Sequence, residues 1–161
     1  MNRFTISPDF LEFTANEETC DYLLNVLLVF AQDNQFKLCL DKGGLARAQY
    51  EHIIQSHECL LFWIGMINRK SGNIEAVPIA GHQYESTQEL FLAIANAVHP
   101  QKKLITSDKS SFAEWQDYVN NQGINLIDGD EAKGMLTHPT VIQISYGDNS
   151  PNINGNNNTI R

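Results

Sequence analysis

The stretch Leu104-Ile105-Thr106-Ser107-Asp108-Lys109-Ser110-Ser111-Phe112 runs an apolar triplet straight into a polar loop. The triplet reads as a short strand, and Ser110 or Ser111 then caps a helix over Phe112–Asn121. Gly123 ends that helix, and Ile124–Ile127 is the next strand, running into Asp128-Gly129-Asp130-Glu131. On the other side, Ser86 or Thr87 caps a helix that sets Leu90, Phe91, Ile94, Ala95 and Val98 on one face, and His99-Pro100 stops it. Helices alternating with short strands indicate an α/β fold around a small, mostly parallel sheet.

Further out the pattern repeats. Phe4–Ile6 is a first strand closed by a turn at Ser7-Pro8. Asn16-Glu17-Glu18 caps a helix in which Leu23, Leu24, Leu27, Leu28 and Ala31 recur at helical spacing, widened by Val26, Val29 and Phe30. Such a helix is expected to be buried on most sides. Phe36–Leu40 is a second strand, ended by Asp41-Lys42-Gly43-Gly44, and helices follow over Leu45–Gln55 and Glu58–Asn68. Ile74–Ala80 contains Pro78, which confines it to a sheet edge or a loop.

Residues 1–139 are thus expected to form the α/β domain. From Thr140 the composition changes: Val141, Ile142 and Ile144 make a strand, and Gly147–Arg161 holds six Asn, two Gly and one Pro. Gly147-Asp148-Asn149-Ser150 and Gly155-Asn156-Asn157-Asn158 form a weak repeat. Ile153 and Ile160 cannot offset the ordering entropy of about fifteen residues, at roughly 1–2 kcal/mol each. Residues 140–161 therefore read as an assembly tail, covered by another copy of the chain or by a partner protein.

The chain has 161 residues, 42% of them apolar, enough for one domain and a tail. Eleven Lys and Arg against nineteen Asp and Glu leave a net charge of −8, with a pI near 5.0. That balance excludes a general nucleic-acid coating protein, whose affinity comes from phosphate contacts, and disfavours docking on anionic lipid. The apolar runs Tyr22–Ala31 and Cys59–Ile67 fall short of the roughly 20 residues a membrane helix requires. Met1–Phe10 has no signal-peptide apolar stretch. Cys20, Cys39 and Cys59, spaced 19 and 20 apart, match no zinc or disulfide pattern and are expected as buried thiols of a cytoplasmic protein. The five histidines form no metal pair, Gly43-Gly44 alone is no phosphate loop, and no nucleophile elbow is present. Asp148–Gly155 lacks the acids and glycine placement of a calcium loop. Trp63 and Trp115 sit on apolar helix faces and read as core, and the basic doublets Arg69-Lys70 and Lys102-Lys103 as solvated surface.

The acids carry the chemistry. Asp9, Asp41, Asp108 and Asp128 each fall within about two residues of a strand's carboxyl end, where parallel sheets collect their ligands. Carboxylates gathered there repel one another unless a divalent cation neutralises them, and Mg²⁺ or Mn²⁺ suits a few carboxylates plus water and a substrate phosphate. Asp is also an ordinary turn and helix-cap residue, so each acid has a structural reading as well.

Glu89-Leu90-Phe91-Leu92-Ala93-Ile94-Ala95 followed by Leu104-Ile105-Thr106-Ser107-Asp108 resembles the second half of a PIN domain, in which an apolar helix and short strand lead to Thr-x-Asp, a loop and an aromatic. The likeness extends over roughly residues 3–136. It implies a metal-dependent nuclease acting on single-stranded RNA or DNA, of the kind found in bacterial toxins and antiphage defence. Asp108, Asp9 and Asp41 would be its metal ligands and Glu89 a supporting catalytic acid. The pattern departs at Ser7, where the family has an Asp, at Gln49, where it has a Glu, and at Gln88-Glu89, where an Asp opens the helix; Ser110 replaces a further acid. Glu51 is another possible substitute. These neutral residues open the alternative of a catalytically inactive PIN-like module serving oligomerisation or partner binding.

Overall fold

In a computed structural model, residues 2–33, 35–69, 73–136, 152–153 and 155–156 are described. Strand β1 (Asn2–Ile6) lies at the centre of a five-stranded sheet, which is why Phe4, Thr5 and Ile6 are all buried rather than alternating. Its neighbours are β2 (Phe36–Asp41) on one side and β4 (Lys103–Ile105) on the other. β3 (Ile74–Val77) and β5 (Asn125–Ile127) form the edges, giving the order β3-β2-β1-β4-β5. Every pairing in this sheet is parallel, with Phe4 beside Leu38, Ile6 beside Ile105 and Ile105 beside Ile127. The α/β class is therefore as read from the sequence, and Pro78 lies just past an edge strand.

Parallel neighbours require crossover helices, and these flank the sheet. They are α1 (Pro8–Thr14), α2 (Val29–Gln32), α3 (Leu45–Ser56), α4 (Leu61–Arg69), α5 (Thr87–Ala97), α6 (Gln116–Gln122) and α7 (Gly129–Leu136). The chain steps outward from β1 to β2 to β3, then α5 returns it to the opposite side of β1. α5 packs against β1, β2 and β4, burying Leu90, Phe91, Ile94 and Ala95 as its periodicity requires. The order of strands reverses between β1 and β4, and the carboxyl ends at such a reversal are where sheets of this kind bind their ligands.

The core is aromatic. Phe4, Phe30 and Phe36 pack edge to face or tilted, with ring centres 5.7–6.5 Å apart. Tyr50 lies between Trp63 and Phe91, and its hydroxyl donates to the carbonyl of Ile6. Trp63 is fully buried, and Trp115 is half-buried.

Several local expectations are corrected. Ser7-Pro8 is not a turn; Pro8 opens α1 at the position where its missing N–H costs nothing. The Tyr22–Ala31 run is not one helix buried on most sides. It holds a π-helical turn, Leu23–Leu27, before α2, and Leu24 is 63% exposed. The wide turn breaks the stripe's register, leaving Val26, Leu27 and Phe30 as the buried positions. The segment after β4 begins as a 3-10 helix, Lys109–Trp115, because Asp108 rather than a serine caps it, and Phe112 departs from helical geometry before α6. Cys39 is buried, but Cys20 and Cys59 are exposed.

The strand at Val141–Ile144 lies outside the described residues. So does the tail, apart from two-residue strands at Asn152–Ile153 (β6) and Gly155–Asn156 (β7), which pair in parallel with each other.

Candidate acidic site at the β1–β4 crevice

β1 and β4 end side by side, with the Ser7 N–H donating to the Ile105 carbonyl at 2.8 Å. Helix α1 starts at once, so its first turn places Asp9 against the residues that follow β4. Asp9 Oδ2 accepts from the Thr106 hydroxyl at 2.6 Å, the Ser107 hydroxyl at 2.7 Å and the Ser107 N–H at 3.1 Å. Its other oxygen, Oδ1, is buried and has no hydrogen-bond partner. A buried carboxylate oxygen without a donor is costly unless a ligand, water or cation completes it.

Asp108 stands two residues on, exposed, at the start of the 3-10 segment. Its Oδ1 accepts from the Ser110 hydroxyl at 2.7 Å and the Ser110 N–H at 2.9 Å, and these two bonds hold the carboxyl below its ordinary value. Thr106 joins the two acids: its hydroxyl donates to Asp9 and lies 3.2 Å from the Asp108 N–H. Thr106 thus ties the first turn of α1 to the loop that carries Asp108.

The other acids are engaged elsewhere. Asp41, 4% exposed, spans the start of α3: Oδ2 accepts from the Leu45 N–H at 2.9 Å and Oδ1 from the Ala46 N–H at 2.7 Å. Glu89 is held in the first turn of α5: the Ser86 hydroxyl caps the helix by accepting from the Glu89 N–H at 3.1 Å, while Glu89 Oε1 accepts from the Glu85 N–H at 2.7 Å. Glu51 pairs with Arg47 one turn earlier at 3.1 Å. Asp128 and Glu131 make a capping box at the start of α7, and Glu131 is also bridged by Lys109 at 2.6 Å. The neighbouring Lys109 ammonium, with the Asp128 N–H, holds the Glu131 carboxyl below its ordinary value.

Among the described residues, no three His, Cys, Asp or Glu side chains are grouped to hold a metal ion. Of the four strand-end acids, Asp41 and Asp128 are engaged as helix caps, which leaves Asp9 and Asp108; Glu89, expected as a supporting acid, is held in the first turn of α5. The residues present still suit a hard cation of modest demand, since magnesium is commonly held by one or two carboxylates with water and phosphate supplying the rest. Gln49 lines a cleft of about 590 Å³ between α3 and residues 81–87. Gln88 and Ser111 line a smaller one of about 340 Å³.

One feature of the surface was not anticipated from the sequence. A cleft of about 450 Å³ lies along α5, walled by the rings of His82, Tyr84, Trp115 and Tyr118 and carrying Glu89 and Asn96. The His82 and Tyr84 rings lie tilted at 41° with centres 4.3 Å apart, and the Trp115 and Tyr118 rings meet edge to face at 6.4 Å. Burial, then the Glu89 carboxylate, raises the Tyr84 phenol above its ordinary value. The signal available beforehand was the polar pair Glu89 and Asn96, seven apart on an otherwise apolar helix. Among the described residues no helix is long and apolar enough to cross a membrane. Comparison with known proteins returns no match to a family model, a curated protein or a solved structure.

Proposed function

We propose that the chain is a PIN-like nuclease module whose β1–β4 crevice takes a phosphodiester of single-stranded RNA, with Mg²⁺ or Mn²⁺ held by Asp9 and Asp108. The observation that carries this reading is the buried, unpartnered Asp9 Oδ1 at the point where the strand order reverses. When bound, such a metal supplies a water of lowered pKa and neutralises charge on the phosphate. The residues' own part is positional. Thr106 and Ser107 fix Asp9 through Oδ2 and leave Oδ1 for the ligand, while Ser110 keeps Asp108 ionised. A role in a toxin or antiphage system, and assembly through residues 140–161, belong to the same proposal.

A second reading, a catalytically silent module that binds a partner, is favoured by the structural roles of Asp41 and Glu89 at helix starts and by Gln49 in place of an acid. One assay separates them. With end-labelled single-stranded RNA and Mg²⁺ or Mn²⁺, the first reading expects cleavage that Asp108→Asn reduces at least about a hundredfold. Asn is itself a good cap, so that variant should keep its fold. No metal-dependent cleavage, or cleavage untouched in Asp108→Asn, supports the silent module.

A further inference from the structure

The cleft along α5 includes neither Asp9 nor Asp108 among its lining residues. Its rings come from two segments, His82 and Tyr84 from the connection after β3, Trp115 and Tyr118 from the segment after β4. Between them runs one face of α5 bearing Glu89, Ala93 and Asn96. Positions seven apart on a helix lie two turns apart on the same face, about 10 Å along the axis. Ala93, midway, presents only a methyl group, so a flat ring has room to lie over it between two polar side chains. The volume is that of a small-molecule pocket, and aromatic walls with few polar groups are the composition such pockets show.

The polar groups are of opposite kinds. Glu89 offers acceptors: Oε1 takes the Glu85 N–H, and Oε2 has no hydrogen bond among the described residues. Asn96 offers a donor, because the Lys102 ammonium, itself anchored on the Gln122 carbonyl at 2.9 Å, occupies its carbonyl oxygen at 2.9 Å. A ring that fits must present N–H donors at one end and an acceptor towards the other. Of the nucleobases, guanine alone carries two adjacent N–H donors, N1–H and the N2 amino group, as a carboxylate requires, with O6 and N7 as acceptors beyond them. Adenine would set its N1 lone pair against the carboxylate, and the pyrimidines offer less surface to the aromatic walls.

We propose that this cleft binds a guanine base, stacked on the aromatic walls, with Glu89 accepting from N1–H and N2–H and Asn96 donating to O6 or N7. The base could belong to a free nucleotide or to a single strand; the recognition is the same. It does not depend on the acidic crevice being catalytic.

The test is a titration of the full chain with guanosine 5′-monophosphate and, in parallel, adenosine 5′-monophosphate, read by tryptophan fluorescence and by calorimetry. Trp63 is buried in the core, so quenching should come from Trp115 and vanish in Trp115→Phe. The guanine nucleotide is expected to bind at least about tenfold more tightly than the adenine one. Glu89→Gln leaves the Ser86 cap in place and keeps an amide oxygen to accept from the Glu85 N–H. It should weaken guanine binding about tenfold or more, as loss of charge-assisted hydrogen bonds does, and should not weaken adenine binding, since the lone pair of adenine N1 then no longer faces a carboxylate. Ala93→Leu, a helix-compatible change, should abolish both by filling the floor. A further pair, the pentanucleotides UUGUU and UUAUU, locates the source: much tighter binding of UUGUU than of the mononucleotide assigns a strand, and equal binding assigns the free nucleotide. Equal affinity for both mononucleotides, no binding at all, or guanine binding unaffected by Glu89→Gln in a folded variant would overturn the proposal.

Discussion

Replacing Asp41 by alanine tests whether this strand-end acid is a structural cap. The two N–H groups it serves differ in their alternatives. Leu45 is 46% exposed, so water can reach its N–H once the carboxylate is gone; Ala46 is fully buried, so its N–H would be left without a partner. Losing a cap that water replaces costs about 1 kcal/mol, and an orphaned buried donor about 2 kcal/mol more, for a total of about 3 kcal/mol. In a domain of this size that is a fall in melting temperature of about 6–12 °C, measurable by circular dichroism. Asp41→Asn retains one acceptor and should lose only about 1–2 kcal/mol. An alanine variant melting within about 2 °C of wild type would refute the reasoning, because the two hydrogen bonds would then carry no stability.

Tyr50→Phe leaves the buried Ile6 carbonyl without the hydroxyl that donates to it, and should lower stability by about 1–2 kcal/mol in urea unfolding with an unchanged m-value. Of the three cysteines, the exposed Cys20 and Cys59 should react with a chromogenic disulfide in the native state. Cys39, whose thiol burial pushes up to about 12, should react only after unfolding, so native and denatured titrations give two and three thiols. Glu131 has its folded pKa depressed below the ordinary 4.5, so it contributes stability above that pH and loses the contribution as pH falls through the folded value. The acid-side decline in melting temperature should be shallower in Glu131→Gln than in wild type.

The fold was legible because its main signals are local. The alternation of apolar strand and amphipathic helix identified β1, β2, β4 and β5, and the cap at Ser86 and the stop at His99-Pro100 bounded α5. What failed depended on tertiary choices. Ser7-Pro8 is compatible with a turn or with a helix start, and only the need to bury Phe10 and Leu11 beneath β1's end favours the helix. The leucine run from Leu23 looked continuous because a π-helical turn leaves no sequence mark. For the site, strand-end placement singled out Asp9, Asp41, Asp108 and Asp128 alike. It could not show that Asp41 turns its carboxylate onto α3, since a capping Asp and a metal-binding Asp look alike in sequence. The walls of the aromatic cleft, near residues 82–84 and 115–118, are distant in sequence, so only Glu89 and Asn96 on α5 offered a local sign of it.

The central claim is that Asp9 and Asp108 form a divalent-cation crevice, and paramagnetic line broadening tests it without requiring turnover. In heteronuclear spectra of the full chain, substoichiometric Mn²⁺ should broaden first the amide signals of Asp9, Ser107 and Asp108. The effect should disappear in Asp9→Asn and recover with excess Mg²⁺ in wild type. Broadening spread evenly over exposed acids such as Glu17, Glu18 and Glu114, or centred away from the β1–β4 crevice, would contradict the account.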